Sequence, residues 1–158
     1  MRKATFLALS VLAVFGLAAG CGPTQAPEPV DYSVDFVGTY FGDYTATFTS
    51  GSTGQTASAV YQTAFQISAG TGVSDLVFGG PCGMTGHASN ATSFITFQAT
   101  CLLYDSASGC NITYNLRAGA GTKNGPSLTM VIPGTETFTC PASADSGSLT
   151  LNWVMTEQ

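Results

Sequence analysis

The chain has 158 residues, of which only 8% are charged, and nine acids against four bases give a formal charge of −5. That balance argues against nucleic acid as a partner, because binding it takes clustered Lys and Arg to displace counterions. A metal site is equally poorly supplied, since no Cys-x-x-Cys pair occurs and His87 is the only histidine. No motif implies a cofactor.

At the N-terminus Arg2 and Lys3 precede an apolar run from Ala4 to Ala19, the layout of a cleaved export signal. The run ends in Leu17-Ala18-Ala19-Gly20-Cys21. This junction resembles the signal peptides of bacterial lipoproteins over residues 1–21, with Ala18 in the place three before the cysteine where that family usually carries Leu. The resemblance implies removal of residues 1–20 and a lipidated Cys21, bearing a thioether-linked diacylglyceryl group and a further acyl chain on its amine. Several chains give durable membrane anchoring where one does not. Gly22 stands where an Asp tends to retain Gram-negative lipoproteins at the inner membrane, so the resemblance implies an exported protein anchored in the outer membrane. The competing readings are an ordinary secretory signal and an uncleaved transmembrane helix. The sixteen residues from Ala4 to Ala19 fall short of the roughly 20 that span hydrocarbon.

Cleavage before Cys21 would leave 138 residues, enough for one domain. Only Arg117 and Lys123 would remain against all nine acids, a formal charge of −7, so lipid and not charge would hold the chain to an anionic membrane. With Cys21 assigned to lipid, Cys82, Cys101, Cys110 and Cys140 make an even set. In an oxidising compartment that implies two disulfides, with three possible pairings.

Residues 22–36 carry Pro23, Pro27 and Pro29 without sustained periodicity and read as a tether, leaving 37–158 as the domain. Extended at about 3.1 Å per residue, such a segment reaches about 45 Å. From Val37 the pattern has period two, with Tyr40, Gly42, Tyr44, Ala46 and Phe48 on one face. Gly51 to Gly54 turns the chain into a second strand through Tyr61, Thr63, Phe65 and Ile67, and Leu76 to Phe78 forms a short third ended by Gly79-Gly80-Pro81.

Cys82 to Ala88 and a return strand with Ile95, Phe97, Ala99, Cys101 and Leu103 on one face make a further hairpin. In a register that sets His87 opposite Thr96, Cys82 faces Cys101, which favours the pairs Cys82–Cys101 and Cys110–Cys140. Cys110, Ile112, Tyr114 and Leu116 share a face of the next strand. Gly119 to Pro126 reads as a turn into Leu128, Met130 and Ile132, and Pro133 to Gly147 as a loop. The last strand points Leu149, Leu151, Trp153 and Met155 one way. About eight short strands and no helical period predict an all-β antiparallel meander, closed as a small barrel or folded as a sandwich.

Ala144-Asp145-Ser146-Gly147-Ser148 resembles the nucleophile motif of chymotrypsin-like serine proteases, which would make His87 the base, Asp105 its orienting acid and Ser146 the nucleophile. That family needs two barrels, and Ala144 replaces its glycine, while Asp-Ser-Gly is ordinary turn chemistry. Asp43 and Asp75 are the remaining candidate carboxylate pair. With no constellation that converges, the expectation is a non-enzymatic protein.

Gly38-Thr39-Tyr40 resembles the Gly-x-Trp opening of lipocalin-like barrels and the Gly-Thr-Trp of avidin-like ones. The resemblance implies an eight-stranded barrel around a small apolar ligand. Tyr40, Tyr44, Phe65, Phe97 and Tyr114, with Phe48 and Tyr61, are then candidate lining residues; otherwise they fill a core. The leading expectation is a β module that contacts an envelope protein or glycan through a hydroxyl-rich surface, and the alternative is a lipocalin-like carrier. A cavity of several hundred cubic ångströms separates the two.

Overall fold

The structure, a computed structural model, describes residues 26–158, so the signal peptide and Cys21 lie outside the described residues. Ten strands follow one 3-10 turn (Ser33–Asp35): β1 (Gly38–Ser50), β2 (Thr56–Ala69), β3 (Asp75–Phe78), β4 (Thr85–Asn90), β5 (Ser93–Thr96), β6 (Ala99–Asp105), β7 (Cys110–Leu116), β8 (Gly119–Asn124), β9 (Ser127–Thr139) and β10 (Ala144–Glu157). All are joined in one antiparallel sheet, in the order β10-β1-β2-β3-β4-β5-β8-β9-β7-β6. Because β10 also pairs with β9, eight strands close into a ring, and the β6–β7 hairpin is left outside it.

The ring is closed at one end only. Along β9, residues Ser127–Val131 face β8, whereas Gly134–Thr139 face β7. Pro133 marks the change. Its carbonyl accepts from the Arg117 amide at 2.8 Å, so its nitrogen also faces this edge, where proline has no hydrogen to donate. The opposite edge of β9 needs no donor at Pro133, and its ladder with β10 runs unbroken from Ser127 to Thr139. On the other side, β2 meets β3 only at Ile67–Ala69. The result is a closed ring below and an open, curled sheet of β2, β1, β10, β9, β7 and β6 above.

The closed half is packed solid. Ile67, Leu76, Phe78, Phe94, Leu128, Met130, Ile132 and Met155 are buried inside it. Phe94 lies between Phe78, at 5.5 Å, and Phe36, at 5.2 Å in an edge-on contact. Gly121 faces this stack, and a Cβ there would fall inside the Phe94 ring, so only glycine fits.

Phe36 enters from the segment before β1 and seals the bottom of the ring. Asp31 accepts from the amides of Ser33 and Ser74, both at 2.9 Å, and the Tyr40 hydroxyl donates to the Phe36 carbonyl at 2.7 Å. Lys123 donates to the Asp35 carbonyl at 2.7 Å and pairs with Glu157 at 2.7 Å. Residues from Val30 onward are therefore docked on the barrel, although their sequence reads as the end of a tether. A plug makes single, specific contacts and leaves no periodic signature.

Both expected disulfides are present, Cys82–Cys101 and Cys110–Cys140. The register that led to the first is nevertheless displaced: His87 faces Ile95, not Thr96, and the ladder slips between Ala88 and Asn90. The chain also breaks at Phe97-Gln98, after which β6 pairs with β7 and not with β4. Cys82–Cys101 thus ties the β3–β4 loop to β6 and is not a bond across a hairpin.

The same break flips the faces. Cys101 and Leu103 point inward as expected, but before the break Phe94 and Thr96 are the inward residues, while Ile95 and Phe97 are 43% exposed. Thr96 is fully buried and accepts from the Gly119 amide at 3.0 Å. Two further elements differ from the sequence pattern. The expected turn at 119–126 contains β8, whose Gly-rich inner face suits close approach to Phe94 and Thr96. The expected loop at 133–147 is mostly strand, with only residues 140–143 between β9 and β10.

Gly121→Ala is expected to destabilise the fold by about 1–3 kcal/mol through overpacking, since Phe94 has rings on both sides and no room to yield. Urea unfolding followed by tryptophan fluorescence measures this. An unchanged midpoint would contradict the tight contact.

Candidate ligand-binding cavity

Above the closed half, the curled sheet encloses a cavity of about 650 Å³, floored by Met84, Leu116 and Met130. Its walls come from β2, β1, β10, β9, β7 and β6, and its rim from the Gly79–Met84 loop. The Cys82–Cys101 bond fastens that loop to β6, whose outer edge is otherwise free.

One wall carries a stack of three rings. Tyr61, Tyr44 and Trp153 are register partners on β2, β1 and β10, so their side chains emerge side by side. Tyr44 stacks on Tyr61 at 5.0 Å and on Trp153 at 5.5 Å, with interplanar angles of 23° and 24°. Phe65 lies below this stack, packing on Phe78 at 6.2 Å and Tyr40 at 6.0 Å. Such offset ring contacts stabilise by about 0.5–1.5 kcal/mol each beyond their area burial.

Few polar groups interrupt this lining. Glu136 on β9 lies between Tyr114 of β7 and Gly147 of β10 in the register. Gly147 has no side chain because the Phe48 ring and the Thr49 carbonyl occupy the space a Cβ would need. Glu136 is partly buried, and burial alone pushes its carboxyl above the ordinary range, with no hydrogen bond or ion pair to oppose it. Burial likewise pushes the Tyr114 hydroxyl up to about 12, reinforced by the negative charge of Glu136 and of ionised Tyr44 and Tyr61. Tyr44 is raised by burial and by Tyr61. The three phenols and the carboxyl all line this one cavity. No side-chain nitrogen or oxygen is fully buried without a partner among the described residues.

Of the aromatic residues expected to line a cavity, Tyr44, Phe65 and Tyr114 do so, as do Phe48 and Tyr61. Tyr40 does not: it is completely buried in the closed half, held by its bond to Phe36. Phe97 does not either, because the break after β5 turns it outward. Glu136 is hidden in the sequence because Pro133 and the glycines and serines up to Gly147 resemble a loop. The period-two series Leu128, Met130, Ile132 continues through Gly134, Glu136 and Phe138, and that alternation was the available signal.

The enzyme-like residues lie elsewhere. His87 and Asp75 are register partners on the outer wall, with Nδ1 3.3 Å from Oδ1 and side chains 44% and 40% exposed. Asp105 turns back on its own loop to accept from Ser108 and the Ala107 amide, which holds its carboxyl below the usual range. Ser146 sits on β10 opposite Thr137, and no hydrogen bond joins it to His87 or Asp105. Asp43 on β1 faces Gln62 of β2, whereas β3, which carries Asp75, meets β2 only at Ile67–Ala69, so the two carboxylates are not neighbours. None of these five residues lines the cavity.

Comparison with protein-family models, with curated proteins and with solved structures finds no match.

Glu136 makes stability depend on pH in a defined direction. Its folded-state pKa is raised, so the stability that accompanies the protonated form is fully present below the ordinary glutamate value of 4.5 and is lost as pH rises through the raised value. Glu136→Gln, which imitates the protonated form, is expected to raise the urea midpoint at about pH 7 and to leave it unchanged at about pH 3. An equal gain at both pH values would refute the desolvated carboxylate.

Proposed function

We propose that the chain is a cell-envelope lipoprotein, anchored through Cys21 in the outer membrane, whose barrel carries a small and largely apolar ligand. The observation that carries the reading is the cavity. At about 650 Å³ it falls within the roughly 300–1,000 Å³ of small-molecule sites, and it combines ring-lined walls with a few convergent polar groups. Binding, not catalysis, is the activity proposed, because the acid and base candidates stand on the outer wall or in turns. Contact with an envelope protein or glycan is supported by surface composition alone, and the carrier reading is preferred for that reason.

The polarity of the domain fits a tether. The Val30 carbonyl accepts from Ser74 near the sealed end, so the chain enters there, and the cavity opens at the opposite end. A domain held by this segment would present its mouth away from the lipid.

Two measurements test the proposal. A chain carrying Cys21→Ser is expected to leave the membrane fraction for the soluble periplasmic fraction, and unchanged membrane retention would refute lipid anchoring. The released chain should bind the neutral probe N-phenyl-1-naphthylamine saturably, with enhanced probe fluorescence. Ala46→Trp, which fills the cavity, should weaken that binding by about tenfold or more, equivalent to about 1.4 kcal/mol. Val154→Trp, on the exposed outer wall, should not change it. Absence of saturable binding, or equal effects of the two tryptophans, would count against the carrier.

A further inference from the structure

Building on the carrier reading, we infer that the ligand joins an apolar body to a basic amine. The apolar body fills the ring-lined space, and the ammonium group meets Glu136 beside Tyr114. The aromatic and aliphatic lining supplies the first half of this recognition, with Tyr44, Tyr61, Phe65 and Trp153 among the residues around the space. Glu136 supplies the second. It is the one carboxylate in the lining and has no basic neighbour there. Lys123 is engaged with Glu157 and the Asp35 carbonyl at the sealed end, and Arg117 is not part of the lining.

A carboxylate partly withdrawn from water without a counter-charge is unfavourable, and a bound cation removes that penalty. An anionic ligand would meet the same carboxylate with the opposite sign. Tyr114 bridges the two halves of the site, because it is Glu136's register partner and is influenced electrostatically by Tyr44 and Tyr61 across the cavity.

Preference for an amine should therefore follow the ionisation of Glu136. The titratable groups facing it are Tyr114 from β7 and Asp145 on β10, two residues from Gly147. Tyr114 stays neutral through the physiological range. Asp145 is kept ionised by the Ser50 hydroxyl, with its carboxyl below the usual range. Of the two carboxyls, Glu136, raised by burial, is the one that takes up a proton first as pH falls.

The test is displacement of N-phenyl-1-naphthylamine from the released Cys21→Ser chain by three indoles of similar shape: tryptamine, 3-ethylindole and indole-3-propionate. Tryptamine is expected to compete at about tenfold lower concentration than 3-ethylindole, as one charge-assisted contact implies, with the propionate weakest. Glu136→Gln should retain the naphthylamine probe and abolish the difference between tryptamine and 3-ethylindole. In the Glu136 protein that difference should also fade as pH drops to about 4. Equal competition by the two, or an amine preference that survives Glu136→Gln, overturns this inference while probe binding leaves the carrier reading standing. Loss of probe binding in the Glu136 protein overturns both.

Discussion

Along β9 the hydrogen-bonding neighbour changes at Pro133, where no amide hydrogen exists to continue the ladder toward β8. Below that residue the ring closes and its interior is filled by Phe36, Phe78 and Phe94. Above it the sheet gains the β6–β7 hairpin in place of β8, so the circumference opens and the inward side chains no longer meet across the middle. Cavity and core are thus two halves of the same strands. Tyr40 and Tyr44 are neighbours on one face of β1, yet one is completely buried and the other faces the void.

The two halves carry different energetic burdens. The closed half contains close ring packing, a glycine with no room for a methyl group, and a lysine satisfied by a carboxylate and a carbonyl. The open half keeps a carboxyl, Glu136, whose charged form burial disfavours and no protein group pairs with. Such a group is retained against stability, as is common where a surface is kept ready for something to bind. The dense lower half offsets that burden, and little of the sheet is shared between them except the strands that run through both.

Much of the architecture was legible in the residues. Strict alternation placed β1, β2, β7 and β10 with their inward faces, because long half-buried strands carry an unambiguous period. Cysteine parity gave the number of disulfides, and the pairing that the structure shows was reached through a register that lies one residue off. The illegible parts share a physical cause: each depends on a neighbour far along the chain. Gly119–Asn124 looks like a turn because its inner positions are glycine, and only contact with Phe94 and Thr96 explains why. The break at Phe97-Gln98 lies inside a continuous alternation, so period alone carried the wrong face back to Ile95. Tyr44, Phe65 and Tyr114 were recoverable as cavity residues, whereas Glu136 was hidden by reading Pro133 as the end of a strand when it is a change of neighbour.

The bond between Cys82 and Cys101 has a kinetic consequence. It fastens the rim loop to a strand that would otherwise be a free margin, so the mouth is shaped before anything arrives. A ligand entering such a site does not have to order a lid, which spares the entropy that loop closure would consume and leaves association governed by diffusion and fit. For the same reason nothing closes behind it. Residence time would rest on the contacts inside the cup, a regime suited to rapid exchange with the surroundings and not to long-term sequestration.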